Sequence, residues 1–220
     1  HNLALHLDSI LGRRNRPETT AVVITRVLVD GNDKAFKFPT KPVGSILTPK
    51  QVMEEDWDIA ETVHGPRRVV ASPEPLEILD LRIVNQLLNA NAIVICCGGG
   101  GIPLVKSGEN LVGVPAVVDK DLLSSLLAIN LDAEAIIIST AVDCLKLNFG
   151  KENQENLASV SVDDAMNYLE AGEFPKGSMG PKVSALMSAT KANPNIKSVI
   201  CQPGDALKAL RGETGTRIVS

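Results

Sequence analysis

Four short segments combine residue types suited to handling anions. GGGGIP at 98–103 directly follows an apolar run, and Gly98, Gly99, Gly100 and Gly101 leave a backbone without Cβ atoms that can approach an anion and aim several N–H groups at it. The plain alternative is a flexible turn. The run is neither GxxxxGK[ST] nor GxGxxG, because Pro103 stands where the last glycine of the second pattern belongs. DKD at 119–121 sits between an apolar run and a helical pattern, so Asp119 or Asp121 can serve as an N-cap. Lys120 is harder to explain, since a cation at a helix N-terminus faces the positive end of the dipole unless an anion sits there too. GSMGPK at 177–182 repeats the arrangement, with Ser178 at the N-cap, Pro181 in the first turn and Lys182 at the positive end. PTKPVG at 39–44 braces Lys41 between Pro39 and Pro42 in an extended backbone, as a reaching cation or as a surface spacer. Lys120 and Lys182 together have the form of a clamp that neutralises charge on a transferring phosphoryl group.

Other chemistries find less support. Ser72, Ser139 and Ser178 have no histidine nearby in sequence, so acyl-enzyme chemistry is not expected. Asp163 and Asp164 read as first-turn helix charges rather than a glycosidase pair. Cys96, Cys97, Cys144 and Cys201 form no CxxC pair and lie in or beside apolar runs, as reduced thiols of a cytoplasmic protein, and His1, His6 and His64 are too remote from them for a zinc site; no metal ligands are assigned. Twenty-two Lys and Arg against 26 Asp and Glu, without clusters, give a net charge of −4 and argue against nucleic acid, as do only four Phe, one Trp and one Tyr. The longest clean apolar runs, such as AIVICC at 92–97, are too short for a membrane span.

The elements that must position these loops follow from periodicity. Leu3, Leu7, Ile10 and Leu11 predict a helix ended by Gly12, and TAVVITRVLVD at 20–30 predicts one strand. Residues 31–66, with four prolines, read as an excursion or small subdomain. Strands follow at 67–72, 92–97, 114–118, 134–140, 197–202 and after Gly215. Helices are expected around Leu76–Leu87, 122–127, 162–171 and 181–192, with a short one from Asp205. Continuous apolar strands alternating with amphipathic helices imply an α/β fold with a mostly parallel sheet buried on both faces, whose ligands bind beyond the strands' carboxyl ends.

Taken in order, FPTKPVG, RRVVASPEP, GGGGIP, AVVDKD, NFGKENQENL, GEFPKGSMGPK and the closing GTRI resemble the carbamate kinases of the amino-acid kinase superfamily over nearly the whole chain. The resemblance implies a three-layer αβα sandwich around an open, mostly parallel sheet, a single domain over 1–220 with a protruding subdomain at about 30–66, and a homodimer. It implies phosphoryl transfer between ATP and carbamate, or ADP and carbamoyl phosphate giving ATP, with Mg2+, in pathways such as arginine metabolism. Carried over by position, Lys182, Lys120 and Asp121 act on the transferring phosphoryl group, with Asp121 as organiser of the lysines. Lys41 reaches over the site from the subdomain. Gly98 to Gly101 lie against the acceptor, and Thr140, Ala141, Val142, Asp143 and Met179 border the nucleotide.

The sequence departs from the family pattern in lacking its opening GGN loop and its HGNGPQVG segment, and in having Glu74 and Pro66 where lysine and tyrosine are usual. The chain is therefore expected to start within a helix that follows both segments, and by itself to bind nucleotide without turnover. Two alternatives share the fold: a non-catalytic nucleotide-binding or regulatory module, and a sibling kinase for a larger carboxylate such as acetylglutamate.

Overall fold

The apolar spacing at the start produces helix α1 (Asn2–Arg13), which buries Ala4 and Leu11. It runs through Gly12 and ends where Asn15 turns to φ 49°, so Asn15 supplies the left-handed residue assigned to Gly12. The computed structural model describes residues 2–62, 64–175 and 177–220. It divides into two units, residues 1–120 and 121–220.

In the first unit the β-branched run after α1 forms two strands, β1 (Thr19–Val22) and β2 (Arg26–Val29), rather than the single one expected. The break falls where Thr25, buried, turns its hydroxyl onto the Val23 carbonyl and accepts the Cys97 amide. Then come β3 (Lys41–Val43), α2 (Pro49–Glu54), β4 (Ile59–Thr62) and β5 (Gly65–Val70). The three strands make a separate antiparallel sheet in the order β3-β5-β4. Helix α2 begins on a capping box, Thr48 bonding the Gln51 amide and Gln51 bonding back to Thr48, with Pro49 at its first position.

Next are β6 (Pro75–Ile78), α3 (Leu81–Asn89), β7 (Ala92–Ile95), β8 (Ile102–Ser107) and β9 (Asn110–Gly113). Leu76 and Leu79 therefore lie in or just after a strand, not on the expected helix, because β6 pairs antiparallel with β2. β1 pairs parallel with β7, and the remaining strands form a mixed sheet in the order β6-β2-β8-β9. The strand expected at 114–118 is reduced to one parallel bridge, Ala71 with Ala116, while the hairpin β8–β9 turning at Gly108 takes the pairing.

Asp80 precedes α3 but makes no side-chain cap. Its carboxylate instead accepts the Arg26 amide at 2.7 Å and Arg26 Nη2 at 2.6 Å, and the guanidinium holds its pKa below the ordinary value. A folded pKa below the unfolded one stabilises fully above the ordinary carboxyl range and is lost as pH falls through the folded value. Asp80→Asn should therefore cost about 1–2 kcal/mol at neutral pH. The gap from the parent protein should close in strongly acidic solution when both are unfolded with urea across pH; a gap independent of pH would refute the assignment.

The second unit contains all but the first residue of α4 (Lys120–Asn130), then β10 (Ala135–Ser139), β11 (Leu145–Leu147), β12 (Glu155–Leu157), β13 (Ser159–Ser161), α5 (Val162–Glu170), α6 (Met179–Ala192), β14 (Lys197–Cys201), α7 (Ala206–Leu210) and β15 (Thr216–Val219). Its sheet runs β10-β14-β15-β13, parallel except between β14 and β15. The pleat of β14 sends Ile200 into a core with Ile136, Ile138, Ala165, Val183 and Leu186, while Val199 and Cys201 pack with Ala209 of α7 on the opposite face. Helices thus cover both faces of this sheet, which gives the expected αβα layering. Among the described residues no helix is long and apolar enough to cross a membrane.

Candidate functional site

In the first unit the glycine run follows β7 as a tight turn. Cys97 lies in the left-handed region at φ 59°, and Gly99, Gly100 and Gly101 all have positive φ. The Gly100 amide donates to the Cys97 carbonyl and the Gly101 amide to Gly98, while the backbone at Gly98 and Gly99 is exposed with open space around it. Gly100 differs: a Cβ there would stand 1.8 Å from the Val118 carbonyl oxygen. The glycines therefore divide, Gly100 allowing the turn to lie on the segment leading to Asp119 and Gly98 and Gly99 forming an open backbone surface of the kind that binds anions. A hydrogen bond between the neighbouring thiols lowers Cys96 and raises Cys97 from their ordinary values.

Lys41, on β3, places Nζ 2.5 Å from Asp119 Oδ2. The aspartate side chain is only 8% exposed and the lysine 30%. Asp119, read from sequence only as a cap, is thus the partner of Lys41; its position just before a helix concealed a bond spanning 78 residues of sequence. Lys120 is exposed at the first position of α4.

In the second unit Asp121, in the first turn of α4, accepts from Lys182 Nζ at 2.7 Å, with side chains 10% and 13% exposed. Lys182 lies in the first turns of α6, so the carboxylate offsets the unfavourable placement of a cation at the positive end of the dipole. Ser178 occupies the N-cap position but its hydroxyl makes no capping bond, unlike the cap expected.

Beside the start of α6 is a cavity of about 520 Å³, within the size range of small-molecule sites. Thr140, Ala141, Val142 and Met179 line it. Asp143 does not; it pairs with Lys146 at 3.0 Å, which holds its carboxyl below the ordinary range. Sequence reasoning missed Cys144, Lys146, Phe149, Glu173 and Phe174, which also line the cavity. Phe149 stands in the NFGKENQENL segment, which becomes the β11–β12 turn and β12, and Glu173 and Phe174 in GEFPKGSMGPK, whereas Cys144 and Lys146 carried no signal; Glu173 fastens the turn by accepting the Asn148 amide at 2.8 Å. Among the described residues there is no group of three or more His, Cys, Asp or Glu side chains placed to hold a metal ion.

The model of the amino acid kinase family matches residues 29–202. The chain is 41% identical to the carbamate kinase of Clostridium perfringens, over 94% of this chain and 68% of that protein. It is 40% identical to the carbamate kinase of Thermoplasma acidophilum, over 99% of this chain and 72% of that one. Among solved structures, carbamate kinase from Giardia lamblia bound to AMP-PNP superposes with a TM-score of 0.87 at 36% identity, over 98% of this chain and 70% of that one. The chain thus spans about two thirds of the length of these relatives. With the family model covering most of the chain and curated relatives matching nearly all of it, the chain belongs to the amino acid kinase family and, within it, to the carbamate kinases, ATP-dependent phosphotransferases.

Proposed function

We propose that the protein transfers the γ-phosphoryl group of ATP to carbamate and, in reverse, makes ATP from ADP and carbamoyl phosphate. The observation that carries this reading is the largely buried Lys182–Asp121 pair at the start of α6, where Ser178 and Met179 also line the cavity. A carbamate oxygen attacks the γ-phosphorus as the bond to the β,γ-bridging oxygen breaks, and ADP leaves with that electron pair. Carbamate is already an anion, so no proton need be removed, and the protein's contribution is charge and position.

In this scheme Lys182 neutralises charge developing on the transferring group, Asp121 fixes Lys182, and Lys120 adds a second positive charge. The open backbone of Gly98 and Gly99 receives the acceptor while Gly100 and Gly101, whose amides close the turn, hold it in shape, and Lys41 reaches over it from the β3-β5-β4 sheet, part of the protruding subdomain proposed at about 30–66. Thr140, Ala141, Val142 and Met179 border the nucleotide, with Asp143 acting through Lys146. Mg2+ would come with the nucleotide and would supply further neutralisation of phosphate charge, as suits an ion that needs few protein ligands. We also place the protein in the cytoplasm as a homodimer serving carbamoyl-phosphate metabolism such as arginine breakdown.

The test is ATP formation from ADP, Mg2+ and carbamoyl phosphate by the complete gene product. Nucleotide binding without turnover, and no turnover with other carboxylate acceptors, would instead assign a regulatory module.

A further inference from the structure

We propose that Asp119 is a positioning residue for Lys41, holding the ammonium at a defined place in the unliganded protein and releasing it to the incoming phosphoryl group. The inference rests on the phosphoryl-transfer reading above and adds to it a residue and a partner exchange. Lysine carries about 2 kcal/mol of rotamer entropy, so an unrestrained Lys41 would spread over many positions. The carboxylate of Asp119, nearly buried and 2.5 Å away, removes that freedom before substrate arrives.

The backbone around the pair is arranged for such an exchange. Lys41 stands opposite Val70 across the β3–β5 ladder. The residue after that strand, Ala71, bridges Ala116, and the Val117 amide donates to the Ala71 carbonyl at 2.9 Å. The small sheet therefore meets the 116–119 segment twice, through a backbone joint and through the Lys41–Asp119 pair. No ligand can replace the joint, but a phosphoryl group can replace a carboxylate as the partner of an ammonium. Because phosphoryl oxygens carry more negative charge than one carboxylate, the exchange favours the substrate. Val118, one residue before Asp119, supports Gly100, so the anchor of Lys41 and the glycine turn share one stretch of backbone.

A double-mutant cycle in the complete gene product tests this, with kcat and KM for carbamoyl phosphate measured in the parent, Asp119→Asn, Lys41→Ala and the combined variant. Amide hydrogen exchange of Lys41, Val43 and residues 68–70 is followed in the same proteins. Asp119→Asn should lower kcat/KM by about 10-fold or more, chiefly through kcat, as expected when a reacting charge is misplaced. Added to Lys41→Ala it should have almost no further effect, and exchange should quicken similarly in both single variants. An undiminished loss from Asp119→Asn in the Lys41→Ala background, or unaltered exchange in both single variants, would overturn the proposal. If the parent shows no turnover, the phosphoryl-transfer reading fails, and the exchange measurement alone still decides whether Asp119 holds Lys41. Should Asp119→Asn fail to fold, exchange in Lys41→Ala reads the same anchor from its other side.

Discussion

Lys182→Ala should lower turnover by about 10²- to 10³-fold, the loss seen when one electrostatic donor is removed from a developing charge. On sequence grounds alone the change would leave stability almost untouched, since lysines are normally solvated. The structure alters that expectation, because the lysine side chain is 13% exposed and its amine neutralises a carboxylate that is 10% exposed. Removing one partner of such a pair leaves charge in a poorly solvated place. Asp121 has further interactions, so the cost should stop at about 1–2 kcal/mol. For a chain of this size that is a fall of several degrees in Tm. Measured where both proteins are fully folded, the activity loss should exceed anything attributable to unfolding. A variant that keeps at least a tenth of the parent rate would remove Lys182 from the reaction.

Gly100→Ala should be the most damaging single change in the glycine turn. The backbone there has φ 95°, a conformation that costs an L-residue about 1–3 kcal/mol, and the new methyl group would meet the Val118 carbonyl oxygen at 1.8 Å. Val118 leads directly into Asp119, so the turn and the anchor of Lys41 would both have to move. A loss of at least about 3 kcal/mol and of nearly all activity is expected. Gly98→Ala is the control. It has open space and ordinary φ, so it should fold like the parent while weakening the binding of an acceptor that approaches the backbone closely. Equal destabilisation by the two changes would mean that the turn is not seated on Val118.

The alternation of apolar strands and amphipathic helices was readable for β10, β14, α4, α5 and α6, where burial on both faces removes ambiguity. It failed where pairing partners lie far away. Leu76 and Leu79 satisfy a helical period, but β2 offers them an antiparallel edge, and the 20–30 run looks continuous until Thr25 bonds to Cys97, 72 residues on. At the site, the lysines at helix starts were legible because they violate a local preference, and such violations mark places where something else supplies the opposite charge. Residue types and spacing did not give their partners; only the resemblance made Asp121 an organiser of the lysines, and nothing tied Asp119 to Lys41. Asp119 and Asp121 are two residues apart and read alike as caps, yet they serve Lys41 and Lys182 respectively, a distinction set by tertiary contacts spanning 78 and 61 residues. The cavity wall from the β11–β12 turn was hidden for the same reason, its residues following no period until Glu173 ties the turn down.

Thr25 carries a consequence for binding. Its hydroxyl accepts the Cys97 amide inside the sheet, and its carbonyl accepts the Ile102 amide at 2.8 Å, so one buried residue grips the glycine turn at both ends. Four successive glycines would otherwise be the floppiest stretch of the chain. Gripped in this way, they lose their conformational freedom once, during folding, rather than at every encounter with an anion. Association at this turn should accordingly carry little ordering entropy, and its rate should be set by diffusion and charge instead of by waiting for a loop to assemble.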